Sequence, residues 1–174
     1  RGAGVFVTAE PTEYPIGRRV RFHQNIRASG RLPEKRVLRL ETRPADPLEA
    51  QSLGLAPGAA VVIYEGLSLA NGMPLAHFIS TFPAERLPGL AEALGQNASV
   101  TEALKRTGIT DYLRAETRVS AERASPTQAL HLGIRDGDPL LRTEALNVTP
   151  EGLRIERGMT WFAGDRVTLS VAND

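Results

Sequence analysis

The sequence predicts an α+β fold, an antiparallel sheet of about six strands with helices, built from a duplicated β-α-β-β unit. Three features lead there. First, residues 36–67, RVLRLETRPADPLEAQSLGLAPGAAVVIYEGL, lie over residues 115–146, AETRVSAERASPTQALHLGIRDGDPLLRTEAL, at a constant offset of 79. Along that offset Pro47 meets Pro126, Leu53-Gly54 meets Leu132-Gly133, Gly58 meets Gly137 and Glu65 meets Glu144. Second, each copy carries the same helix punctuation. Asp46-Pro47 and Ser125-Pro126 pair an N-cap residue with a proline whose missing N–H costs nothing there, and Gly54 and Gly133 suit a left-handed C-cap. Third, each copy ends in strand, turn and strand. Asn71-Gly72 is a strong hairpin signal in the first, and Thr149-Pro150-Glu151-Gly152 turns the second.

The elements follow in order. Val37 and Leu40 begin a strand, and a short helix runs from Pro47 to Gly54. The turn Ala56-Pro57-Gly58 then feeds the β-branched run Val61-Val62-Ile63-Tyr64, which returns through Asn71-Gly72 along Leu75–Phe82. Between the copies, 87–94 reads as a helix with Pro88 just inside it. Residues 100–107 read as another, with Ser99 and Glu102 in capping-box positions and Gly108 beyond. The second copy repeats the plan with Thr117, Val119 and Ala121, a helix from Pro126, Leu140-Leu141 and 154–162. Ahead of all this, Arg1–Val7 (RGAGVFV) reads as the tip and returning strand of a hairpin. The core is therefore expected to close without residues 1–13, with Arg1–Val7 frayed or borrowed as an extra strand, a linker after it, and one domain over 14–174.

Composition narrows the function. Near-neutral charge, +1 over 174 residues, gives no electrostatic case for nucleic-acid binding by this segment itself. No apolar run reaches the roughly 20 residues of a membrane span. The absence of cysteine removes disulfides and thiolate metal sites and fits a reducing cytoplasm. No nucleophile–base set, His-x-x-x-His spacing or P-loop is present, so no catalytic residue, metal site or cofactor is expected.

The ordered set of motifs resembles the UTRA effector-binding domain of HutC-type GntR transcription regulators. Arg1–Val7 looks like the wing of the winged helix-turn-helix. Glu13–Ile26 (EYPIGRRVRFHQNI), with Arg18-Arg19-Val20-Arg21-Phe22 and Asn25, resembles the entry segment of the phosphonate-metabolism branch. Asn71-Gly72 with Pro74, Thr117-Arg118-Val119-Ser120-Ala121 with Arg123-Ala124, and Gly137-x-Pro139-Leu140-Leu141 extend the likeness over essentially the whole chain. It implies a chorismate-lyase-like fold and a homodimeric sensor, a repressor of phosphonate metabolism. A small anionic, phosphonate- or phosphate-like effector would control DNA binding by an N-terminal domain absent from this sequence. The alternatives are a chorismate-lyase-like enzyme and a domain that only dimerises.

Strand alternation and the resemblance together nominate the site. Tyr64, Gly66 and Ser68 share a face with Val62, and Ser80 shares one with Ala76 and Phe78. Sugar-phosphate-sensing relatives carry two arginines at the positions aligned with Gly66 and Ser68. Their absence here leaves room at Gly66 for another group. By the resemblance, Arg118 and Ser120 fall where anion ligands are held, Glu156 matches a ligand-contacting glutamate, and Phe162 replaces a common tyrosine. Arg21, His23 and Asn25 are placed to close over the pocket. Arg118 ranks first and Arg21 second, because a guanidinium grips phosphate-like groups with two parallel hydrogen bonds. The plainer readings pair Arg118 with Glu116 or Glu122 and Glu156 with Arg142 or Arg154. They solvate the Arg18–Arg21 run, give His77 and His131 structural roles, and put Trp161 into packing.

Overall fold

A duplicated helix signal produces a duplicated structure. In the computed structural model, which describes residues 10–19 and 22–171, Asp46 and Ser125 each open a helix through a complete capping box. Asp46 accepts from the Glu49 amide at 2.8 Å while the Glu49 carboxylate accepts from the Asp46 amide at 2.9 Å. Ser125 and Gln128 repeat the exchange at 3.3 and 3.1 Å. Gly54 and Gly133 close the two helices at φ 62° and 61°, a conformation that only glycine adopts without strain.

The first copy comprises β2 (Pro33–Pro44), α2 (Pro47–Leu53), β3 (Ala60–Ala70) and β4 (Met73–Pro83). It follows β1 (Thr12–Pro15) and α1 (Phe22–Ala28). Helices α3 (Leu90–Gln96) and α4 (Val100–Arg106) lead to the second copy, β5 (Leu113–Arg123), α5 (Pro126–Leu132), β6 (Pro139–Val148) and β7 (Arg154–Ala163). Strand β8 (Val167–Ser170) ends the described chain. Six strands form one antiparallel sheet in the order β2-β3-β4-β7-β6-β5, so the copies meet back to back at β4 and β7. This is the α+β architecture that the repeat predicts.

The two faces of the sheet are covered differently. On the outer face, α2 packs Leu53 over Val61 and Ile63, and α5 packs Leu132 and Ala129 over Leu67, Leu69 and Leu140. On the inner face, α3 and α4 cover Val62, Tyr64, Phe78 and Phe82 with Leu90, Leu94 and Leu104. The other end of that face is closed by Tyr14, Ile26 and Val167 packed on Ala76 and Phe162. None of the helices is long and apolar enough to cross a membrane.

Several local readings change. Helix α3 begins at Leu90 rather than 87, because Gly89 turns left-handed at φ 82° and stands as its N-cap. The capping box of α4 is half formed: Ser99 accepts from the Glu102 amide, but the Glu102 carboxylate is drawn away to Lys105 at 2.8 Å. Strand β1 pairs in parallel with β8 from Thr12 onward, so the ordered structure reaches two residues ahead of the expected boundary at 14. The hairpin reading of Arg1–Val7 lies outside the described residues. Gly66 has no room beside it, since a Cβ there would stand 2.5 Å from the Arg36 carbonyl oxygen and 3.0 Å from the Phe78 ring.

Two arginines buttress the repeat symmetrically. Arg86, just past β4, donates to the carbonyls of Leu53 and Gly54 at the end of α2 and to that of Arg154 at the start of β7. Arg166, just past β7, donates to Leu132 and Gly133 at the end of α5 and to Pro74 at the start of β4. Each guanidinium satisfies orphan carbonyls at the negative end of a helix and ties one copy to a strand of the other.

Two stability outcomes follow, both read as urea-midpoint shifts. Arg166→Ala strands three carbonyls and should cost roughly 3 kcal/mol, with Arg166→Lys restoring only part of it because an ammonium lacks the planar fork. Gly66→Ala should cost about 1–3 kcal/mol, since the obstacle is backbone rather than a flexible side chain.

Candidate functional site

The inner face does not close completely. Between the α3–α4 cover and the α1–β1–β8 cover lies a cavity of about 130 Å³. Its floor comes from alternating positions of the central strands: Ser68 on β3, Phe78 and Ser80 on β4, Glu156, Gly158, Thr160 and Phe162 on β7, and Thr143, Ala145 and Asn147 on β6. These are in register, Ser80 opposite Gly158 and Thr143 opposite Thr160, so they share one face by the pleat. Lys35 of β2 and Arg114 of β5 enter from the two edges, and Arg18, Phe22, His23 and Tyr112 line the mouth.

At the centre is Glu156, 7% exposed. Its two oxygens accept from the Ser80 hydroxyl at 2.7 Å and from the Asn147 amide at 2.7 Å, one donor from each copy. The Lys35 ammonium is walled by aromatic faces, 4.1 Å from the Phe78 ring centre, 5.7 Å from Tyr64 and 5.9 Å from Phe22. Among the described residues its Nζ makes no hydrogen bond and no ion pair. Burial pushes the ammonium down to about 8, with Glu156 opposing the shift. Burial also lowers the His23 imidazole, helped by the charges of Lys35 and Arg27. The buried atoms His23 Nε2 and Arg114 Nε find no partner among the described residues. The cavity therefore presents nitrogens of Lys35, Arg114 and His23 that make no hydrogen bond among the described residues. No group of His, Cys, Asp or Glu among the described residues is placed to hold a metal ion.

The nominated residues divide cleanly. Glu156, Ser68, Ser80, Phe162 and His23 all line the cavity. Tyr64 lies beneath it in the core, its hydroxyl donating to the Ala98 carbonyl at 2.8 Å. Asn25 braces the entry segment, its amide 3.4 Å from the Pro15 carbonyl oxygen. Arg118 and Ser120 stand exposed on the opposite face of the sheet, and Arg21 lies outside the described residues. The reason for Arg118 is register. It pairs with Glu144, whose neighbours Thr143 and Ala145 face the cavity, so Arg118 must face away. Its guanidinium bonds Glu116 at 2.7 Å, the plainer pairing. It borders an outer depression of about 220 Å³ whose other cations are also engaged. There Arg157 holds Glu144 at 2.6 Å and Arg154 caps the carbonyls of Gln51 and Ser52.

Lys35, Arg114 and Asn147 were not nominated. Arg114 and Arg118 are four apart, which in a regular strand puts both on one face. A bulge between Arg114 and Glu116 breaks that parity and turns Arg114 inward. Lys35 had one legible signal: it is one of only two lysines beside nineteen arginines. The alternative pairings of Glu156 are not those found either, since Arg142 bonds Glu122 and Glu144 on the outer face.

Comparison with known proteins gives a consistent result. The family model described as UTRA domain matches residues 28–168. The chain is 33% identical over 172 residues to an uncharacterized HTH-type transcriptional regulator, RB1450, of Rhizobium meliloti, covering 98% of this chain and 70% of that protein. It is 31% identical over 147 residues to the probable transcriptional regulator PhnF of Escherichia coli, covering 84% of this chain and 61% of the relative. In structure it superposes on PhnF from Mycobacterium smegmatis with a TM-score of 0.84 at 21% identity, over 94% of this chain and 72% of the other.

The Lys35 environment has a measurable signature. Between about pH 8 and 10.5 the unfolded chain holds this proton more than the fold does, so Lys35's contribution to stability should rise with pH across that window. Lysine-selective NMR should show one side chain titrating near 8, and Lys35→Met should abolish both that titration and the added slope in denaturation midpoint.

Proposed function

Because the chain belongs to the UTRA domain family, we propose that it is the effector-binding domain of a GntR/HutC-type transcription regulator and that the inner cavity holds a small phosphonate- or phosphate-like anion. The observation that carries this reading is the unequal use of cations on the two faces. In the outer depression Arg118 and Arg157 are paired with carboxylates and Arg154 caps carbonyls. In the inner cavity the Lys35 ammonium and the buried Arg114 Nε have no acceptor among the described residues, and an anion would supply one.

The remaining walls suit a small polar ligand. Ser68, Thr143 and Thr160 offer hydroxyls, while Phe22, Phe78 and Phe162 shed water from the site. The relatives are named as transcriptional regulators, which supports a regulatory rather than catalytic use of the fold. In this reading the domain acts as a cytoplasmic homodimer, and DNA contact falls to a segment outside this chain. Effector binding between the two covers of the inner face would alter how α1 and β1 are held, and so the entry segment leading to the DNA-reading part.

A thermal-shift panel of phosphate, sulfate and alkylphosphonates tests this directly. A bound anion at 100 times its Kd adds about 2.7 kcal/mol, visible as a raised Tm, and a panel without any shift would refute the reading. Arg114→Ala should weaken the binding anion by about tenfold or more, the loss of a charged hydrogen-bond donor, whereas Arg118→Ala should leave it within about twofold.

A further inference from the structure

We propose that Lys35 captures a carbonyl-bearing effector covalently, as a reversible imine formed inside the inner cavity. The inference rests on reading that cavity as the effector site, and it names a chemistry: a small aldehyde or ketone that also carries an anionic group.

Five observations bear on it. Lysine is rare in this chain, two against nineteen arginines, so the cavity holds an amine where guanidinium is the prevailing cation. A guanidinium stays protonated and cannot serve as a nucleophile; an amine can. The Lys35 Nζ sits against the Phe78, Tyr64 and Phe22 rings with no hydrogen-bond or ion-pair partner among the described residues, so no hydrogen bond or ion pair must be broken for it to react. Lys35 projects from a sheet strand opposite Ser68, so the amine is held on a rigid element facing the cavity. Glu156 lines the same cavity, and its charge favours the protonated amine, so it opposes the effect of burial. Burial also lowers the proton affinity of the amine, so a useful fraction is neutral near physiological pH.

The step balances without an oxidant or reductant. The neutral Nζ adds to the carbonyl carbon, forming a C–N bond while the C=O π pair moves to oxygen. That oxygen takes up a proton and the nitrogen gives one up, by exchange with water. The carbinolamine then loses its hydroxyl together with the remaining N–H proton as water, leaving C=N, and readmitted water reverses the sequence. The anionic group of the same molecule faces Arg114 and His23, whose buried nitrogens lack acceptors.

The second lysine is an internal control. Lys105 lies exposed on α4, paired with Glu102 at 2.8 Å. The whole chain is incubated with glyoxylate near pH 8, reduced with cyanoborohydride and mapped by peptide mass spectrometry. The expected result is reduced adduct on Lys35 exceeding that on Lys105 by about tenfold or more, as for a desolvated, activated amine. Equal labelling, or adduct confined to Lys105, overturns the proposal. As a second measurement, glyoxylate should raise the Tm more than its alcohol analogue glycolate does. That excess should vanish in Lys35→Arg, which keeps the cation and removes the nucleophile; an excess that persists also overturns it. A melting shift by alkylphosphonates without selective Lys35 labelling leaves the anion-sensor reading standing and sinks covalent capture. Selective labelling without any anion-induced shift does the reverse.

Discussion

The antiparallel seam between β4 and β7 is the constraint on which the rest of this structure depends. Neither β-α-β-β copy has a sheet wide enough to bury helices on both faces, and joining them edge to edge supplies one. Arg86 and Arg166 reinforce the seam from opposite ends, each binding the terminal carbonyls of its own copy's helix and one carbonyl of the other copy. Because the strands on either side of the seam run in register, a single inner surface crosses both copies. Glu156 of the second copy can then be held by Ser80 of the first.

That shared surface explains where the chain spends its charge. On the outer face Arg118, Arg142 and Arg157 are engaged with glutamates, which orders the surface. The inner face buries a carboxylate with only neutral hydrogen-bond donors, and sets a half-buried ammonium against aromatic rings. Both arrangements are costly in isolation, since a desolvated charge without a partner is destabilising. Such a cavity is tolerated because the surrounding strands and helices are otherwise well packed.

Much of the fold was legible from the sequence. Asp46-Pro47 with Gly54 and Ser125-Pro126 with Gly133 are local chemical instructions, and the structure obeys them at both sites. Half of the candidate site was legible too: Ser68 and Ser80 came from alternation along their strands, and Glu156 and Phe162 from the resemblance to relatives. Alternation fails where the strand is irregular. Arg114 is turned inward by a bulge at Ala115 that no residue type announces, and the covering pair β1 and β8 joins segments more than 150 residues apart. Arg118 was placed by likeness to relatives, and its cross-strand partner Glu144 shows it to face away.

The amino-acid sequence by itself determined the repeat, the helix boundaries within each copy, the hairpins and the alternation of the central strands. Each is set by interactions among residues close along the chain: caps, turns and the two-residue pleat. Only the tertiary structure decided which face of the sheet became the cavity, and therefore which cations were left without partners. That choice depends on how two covers pack onto one continuous sheet and on bulges that change side-chain parity, both of which exist only once the copies have joined at β4 and β7.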